Sequence, residues 1–159
     1  MVRIAANAVY QAEQIFENAL NNRDKFPTAI VFGSTVNVPD QRRFGDYQHV
    51  RKYVNYVLAH PHIRHVYPTR SLKPVKVRVR KGPNKAHYER STSTIALPDN
   101  RFGMSEVTVL HELAHHLSDT GGHDALFIKA LDTLIETMMA PEAILLYREA
   151  VSNLTTTSE

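Results

Sequence analysis

Val109-Leu110-His111-Glu112-Leu113-Ala114-His115-His116-Leu117 contains the pattern H-E-x-x-H. Residues four apart lie one above the other on a helix, so His111 and His115 can aim imidazole nitrogens at one Zn²⁺ at about 2.0–2.1 Å. Glu112 follows the first ligand, and its carboxylate can reach a water on the ion instead of joining the ligands. Zinc lowers the pKa of such a water from about 15.7 to about 7, and the glutamate takes the proton as the water attacks. The implied chemistry is hydrolysis with Glu112 as general base. The competing reading is a histidine-rich core helix. Val107, Leu110, Ala114 and Leu117 recur at three- and four-residue steps and mark a helix. That stripe sets the histidines beside buried surface, where an unpaired imidazole is costly, which favours a metal site.

A catalytic zinc usually has three protein ligands and one open position. The chain has no cysteine, so thiolate ligands, a disulfide scaffold and a cysteine nucleophile are excluded. The third ligand is expected beyond Gly121-Gly122, where the chain can fold back. His123 is favoured. Asp119 and Asp124 are the alternatives, although Asp124 is explained as a helix cap and Asp119 as part of the turn. His116 points about a quarter-turn away from His115 and is expected behind the ligands or at the surface. His60, His62 and His65 read as solvated loop residues rather than a second cluster, because no helix or hairpin fixes their geometry.

The active helix is expected from about Glu106 to Ser118, capped by Ser105 and stopped at Thr120-Gly121-Gly122. Before it, residues 8–24 read as an amphipathic helix with Val9, Ala12, Ile15, Phe16, Ala19 and Leu20 on its apolar face. Thr28 to Val38 reads as one strand with Gly33 as a bulge. Asp46 caps a second helix whose apolar face is Val50, Tyr53, Val54, Val57 and Leu58. Val75 to Arg80 alternates as a strand with valines inward and cations outward. Gly82-Pro83-Asn84 turns the chain. Two short strands follow, Ala86 to Arg90 and Ser93 to Leu97, joined through Ser91-Thr92 and closed by Pro98-Asp99-Asn100. After the active helix, Asp124 caps a helix with Leu126, Phe127, Ala130, Leu131, Leu134, Ile135 and Met138 on its apolar face. Pro141 opens a last helix packed through Ile144, Leu145 and Ala150, and residues 155–159 form a polar tail. The expectation is one α+β domain over residues 1–159. In it a small, mostly antiparallel sheet packs on the H-E-x-x-H helix, with helices before and after.

The 159 residues carry a formal net charge of +3, which permits an anionic partner without requiring one. Strand alternation already explains the cations at Lys76, Arg78 and Arg80, so a solvated face is preferred to a nucleic-acid surface. No stretch approaches the roughly 20 apolar residues of a membrane span. Asn7, Gln11, Glu13 and Gln14 interrupt any signal-peptide core. A soluble, cytoplasmic protein is expected.

Lys85-Ala86-His87-Tyr88-Glu89, Thr94-Ile95-Ala96-Leu97, the H-E-x-x-H stretch and Gly122-His123-Asp124-Ala125-Leu126-Phe127 together resemble the core of SprT-like and WLM-type zincins. The resemblance implies a zincin-like fold. It places an edge hairpin before the active helix and a third histidine at the start of the next helix, followed by a bulky aromatic. Those roles fall on His111, Glu112, His115, His123 and Phe127. The whole pattern, including Val9-Tyr10-Gln11-Ala12-Glu13 and Arg42-Arg43-Phe44-Gly45, is also similar to a small family of metallohydrolases from actinobacteria and their phages. Three departures from SprT-like proteins point away from DNA-linked substrates. The gap between His115 and His123 is short, Asp124 stands where glycine is usual, and no separate DNA-binding domain is expected.

The expected function is zinc-dependent hydrolysis, most simply of a peptide or protein. Ala86 to Arg90 should be a sheet edge over the cleft, open to an extended substrate. His87, Tyr88 and Tyr147 are candidates for substrate or transition-state contacts, with packing as the plain reading of both tyrosines. Two alternatives come from other classes. One is a non-peptide amide hydrolase. The other is a zinc-stabilised module that binds nucleic acid or protein without catalysis, although a structural site has no use for Glu112.

Overall fold

The computed structural model describes residues 6–80, 85–98 and 104–156. The turn expected at Gly82-Pro83-Asn84, the closure at Asp99-Asn100 and the end of the polar tail lie outside these residues. The order is α1 (Ala6–Asn21), β1 (Thr28–Val31), β2 (Ser34–Asn37), α2 (Tyr47–Ala59), α3 (Pro61–Val66), a 3-10 turn (Arg70–Leu72), β3 (Lys76–Arg80), β4 (His87–Glu89), β5 (Thr94–Pro98), α4 (Glu106–Ser118), α5 (Ala125–Met138) and α6 (Pro141–Thr156). The class is α+β. Among the described residues, no helix is long and apolar enough to cross a membrane.

The H-E-x-x-H helix, α4, is the buried centre. Val107, Val109, Leu110, Leu113 and Ala114 have no exposed surface. It packs most extensively on α5, while α6 lies against both α5 and α1. A buried helix end needs a partner for every free N–H, and this one has them. Glu106 N–H donates to the Arg42 carbonyl at 3.0 Å, Val107 N–H to Gln41 Oε1 at 3.0 Å and Thr108 N–H to the cap Ser105 Oγ at 3.4 Å. The Glu106 side chain is 2% exposed. It accepts from Arg42 N–H at 3.1 Å, from Arg42 Nη1 at 2.7 Å and from the Tyr53 hydroxyl. The loop at Gln41–Arg42 thus ties α2 to the start of α4. At the other end Asp119 adopts a left-handed conformation (φ 55°), and its N–H returns to the His115 carbonyl.

The sheet beside α4 is mixed, not mostly antiparallel. Its order is β3-β5-β4, with β5 parallel to β3 and antiparallel to β4. Alternation in a sequence reports which face is buried, not which neighbour a strand chooses. Here β4 turns back through Arg90–Ser93, and β5 inserts between its partner and β3. All five residues of β5 are buried, as a central strand covered on both faces requires. β4 is an edge, paired with β5 alone among the described strands.

Several expectations change. Thr28 to Val38 is a hairpin, not a bulged strand: β1 and β2 pair antiparallel around Phe32 (φ 46°) and Gly33 (φ 81°). Two positive φ values are what a tight two-residue hairpin turn demands. Ile30 and Phe32 are therefore 71% and 61% exposed rather than in the core. In β3 only Val77 is buried, and Val79 faces solvent. Leu126 and Leu145 are exposed, while Leu146 and Tyr147 take the packing positions of α6. His62 and His65 are solvated as expected but lie on α3, and His60 sits between α2 and α3. His60 caps α3, its side chain accepting from His62 N–H at 3.1 Å. The last helix continues through Thr155 and Thr156, where a polar tail was expected.

Glu106→Ala should destabilise the fold by roughly 2–4 kcal/mol, because the buried Tyr53 hydroxyl loses its acceptor and Arg42 its partner. Glu136→Ala, which removes an exposed pair with Arg148, should cost less than about 1 kcal/mol. Urea denaturation of the two variants measures the difference, and equal midpoints would contradict this account of the α4 N-terminus.

Candidate metal centre

His111 and His115 sit one turn apart on α4. The turn Thr120–Gly122 then reverses the chain and brings His123 back beneath them. One ring nitrogen of each of these three residues lies within 4.8 Å of the others, so the three could hold a metal ion. His111 Nε2 and His123 Nε2 are 3.2 Å apart. Phe127, in the first turn of α5, lies under the cluster with its ring 4.6–4.9 Å from all three imidazoles. Asp124 positions that turn by accepting from Phe127 N–H at 3.0 Å. Neither alternative third ligand joins the group. Asp124 is the cap, and Asp119 pairs with Arg90 at 3.2 Å and Arg70 at 3.6 Å.

The outer nitrogens decide what the inner ones can do. Glu13 Oε1, on α1, lies 2.5 Å from His111 Nδ1. The Thr120 carbonyl lies 3.1 Å from His115 Nδ1. Acceptors at both places hold the proton on Nδ1 and leave the Nε2 lone pairs turned to the shared point. Two lone pairs at 3.2 Å repel unless a proton or a cation stands between them. Burial opposes protonation of His111, but Glu13, together with Glu112 and Glu17, holds the pKa above its ordinary value. Burial, and then the His111 charge, push His115 down to about 4 and lower His123 as well. Three imidazoles and no thiolate form a donor set that fits Zn²⁺, and metal binding there displaces protons.

Glu112 is 5% exposed, and its Oε1 lies 3.7 Å from His111 Nε2. Burial lifts its pKa to about 7. His111 opposes the rise, Glu13 adds to it and Arg80 opposes it. The histidines and Glu112 open onto a cleft of about 670 Å³ between α1 and β4. In comparisons with family models, curated proteins and solved structures, nothing matches this chain.

The structure separates the other named residues. His87 is exposed on β4 and lines the cleft. Tyr88 is 7% exposed and turned to α4, with its hydroxyl 2.8 Å from His116 Nδ1. Tyr147 is not at the cleft. It is 2% exposed, edge-on to Phe16 at 5.6 Å. His116 is fully buried behind the three histidines, where its Nε2 lies 2.9 Å from the Arg70 carbonyl and burial pushes its pKa to about 4.

Two residues of α1 were not singled out from the sequence. Glu13 is 9% exposed and holds His111. Its signal was an acid set in the apolar stripe Val9, Ala12, Phe16 and Leu20. Tyr10 lies over the cluster, its ring 4.4 Å from that of His123 and 6.4 Å from that of His111, and lines the cleft at 51% exposure. Burial, then Glu13 and Glu112, push its phenol above the ordinary value.

Metal titration should find one Zn²⁺ per chain. His123→Ala should weaken binding, and Glu13→Ala should weaken it by roughly 10–100-fold through loss of the outer acceptor. His62→Ala should change nothing. Competition with a chromophoric chelator measures all three. No uptake after zinc reconstitution, or equal losses from His62 and His123, would sink the assignment.

Proposed function

We propose that this chain is a zinc-dependent hydrolase acting on peptide bonds. The observation that carries the reading is the convergence of His111, His115 and His123 beside a buried Glu112 with a pKa near neutrality. Zn²⁺ held by the three imidazoles would lower the pKa of a water molecule and polarise a carbonyl. Glu112 takes the proton of the attacking water and passes it to the amine nitrogen as the C–N bond breaks. A carboxyl with a pKa near the working pH serves in both directions. Glu13 and the Thr120 carbonyl keep the rings of His111 and His115 in one tautomer and one orientation. Phe127 and the apolar flank of α4 exclude water from behind them.

What favours a peptide over a small amide is β4. This edge borders the cleft through Ala86, His87 and Arg90. Among the described strands only β5 pairs with it, so its other side can receive an extended chain as an added strand, giving affinity with little demand on sequence. A nucleic-acid module is less well supported, because two of the three β3 cations are already engaged. Arg78 pairs with Glu89, and Arg80 donates to the Lys85 carbonyl at 2.6 Å.

Glu112→Gln should keep zinc and fold but hydrolyse a peptide library at least roughly 100-fold more slowly, since an amide cannot take the proton. Loss of metal in this variant would make Glu112 a ligand, and undiminished turnover would remove its role as base. Faster turnover of small amides than of any peptide would shift the substrate class.

A further inference from the structure

Water addition to a carbonyl places negative charge on its oxygen, and a fixed donor there lowers the barrier. Two of the hydroxyls near α4 cannot be that donor. His116 Nε2 faces the Arg70 carbonyl at 2.9 Å and must carry the ring proton, so Nδ1 is an acceptor. Arg70 Nη2 at 3.3 Å and the Tyr88 hydroxyl at 2.8 Å both face that Nδ1, and the shorter contact takes the hydroxyl's one proton. Tyr147 is packed under α1. His87 lines the opposite wall, and among the described residues it makes no ring contact with the three histidines.

Tyr88 also stacks on His115 at 6.5 Å and lines the cleft, but Tyr10 differs from it in exposure and in hydrogen bonding. Its ring lies against those of His123 and His111, half its surface is open to the cleft, and its phenol is within electrostatic reach of Glu13 and Glu112. No hydrogen bond engages its hydroxyl among the described contacts. Glu13, one turn further along α1, fixes that helix to His111 and with it the height of Tyr10 above the cluster. The structure assigns Tyr10 as a catalytic residue: we propose that its hydroxyl donates a hydrogen bond to the oxygen of the scissile carbonyl as charge develops there. The assignment rests on the peptidase reading above. It implies that α1, not the sheet, supplies the transition-state donor, and that substrate enters between Tyr10 and β4.

Tyr10→Phe keeps the ring and removes only the hydroxyl. The test uses zinc-loaded protein and a panel of phosphinic pseudopeptides, whose tetrahedral anion mimics the developing charge. The variant should hold zinc within about twofold of the parent by chelator competition. By calorimetry it should bind the tightest phosphinic pseudopeptide roughly 10–100-fold more weakly. On a cleaved peptide kcat should fall by a similar factor while KM stays within about threefold. If the parent binds the pseudopeptide and the variant binds it equally, the Tyr10 assignment is overturned and the peptidase reading stands. If the variant loses zinc, Tyr10 supports the metal rather than the substrate, and the assignment is again overturned. If the zinc-loaded parent binds no pseudopeptide, the peptidase reading fails and takes Tyr10 with it.

Discussion

A helix buried on most of its surface must find a partner for each ionisable side chain it carries, and α4 carries five: Glu106, His111, Glu112, His115 and His116. Four of the five meet partners from different parts of the chain, and among the described residues Glu112 has only His111 beside it at 3.7 Å. Arg42 and Tyr53 meet Glu106, Glu13 meets His111, the Thr120 carbonyl meets His115, and Arg70 and Tyr88 meet His116. These contacts place α1, α2, the 3-10 turn, β4 and the Thr120–Gly122 turn around one helix. The polar groups that look expensive in the core are therefore also what sets its arrangement.

The same constraint leaves two chemical features over. The Nε2 atoms of His111 and His123 face each other at 3.2 Å, with Glu112 Oε1 3.7 Å from the first. Glu112 is buried with its pKa lifted from 4.5 to about 7. A carboxyl whose folded pKa is raised binds its proton more tightly in the fold. Stability is therefore lost as pH rises from the unfolded value through the folded one, by roughly 3 kcal/mol in total.

Much of this was legible in the residues. The bounds of α4, its Ser105 cap, the Asp46 and Asp124 caps and the gathering of His123 with the H-E-x-x-H pair follow from local rules, because caps and helical spacing are short-range. What was not legible depends on distant contacts. Glu13 meets His111 across 98 positions, and from the sequence it looked only like a polar interruption of α1. Phe32 sits in a tight turn at positive φ, a place its type disfavours, so Thr28 to Val38 read as one strand. The parallel pairing of β3 with β5 is set by which strand inserts where, and alternation does not encode that. Tyr147 and Tyr10 are both tyrosines on helix faces. Only the packing of α1 on α6 buries one and opens the other to the cleft.

The central claim is that three imidazoles, and no carboxylate, hold the metal. X-ray absorption spectroscopy of the zinc-loaded protein tests it most directly. The predicted result is three imidazole nitrogens and one oxygen of solvent at about 2.0–2.1 Å, with the same three nitrogens retained in Glu112→Gln and one fewer in His123→Ala. A parent spectrum with only two imidazoles, or one in which Glu112→Gln changes the protein ligands, would contradict it.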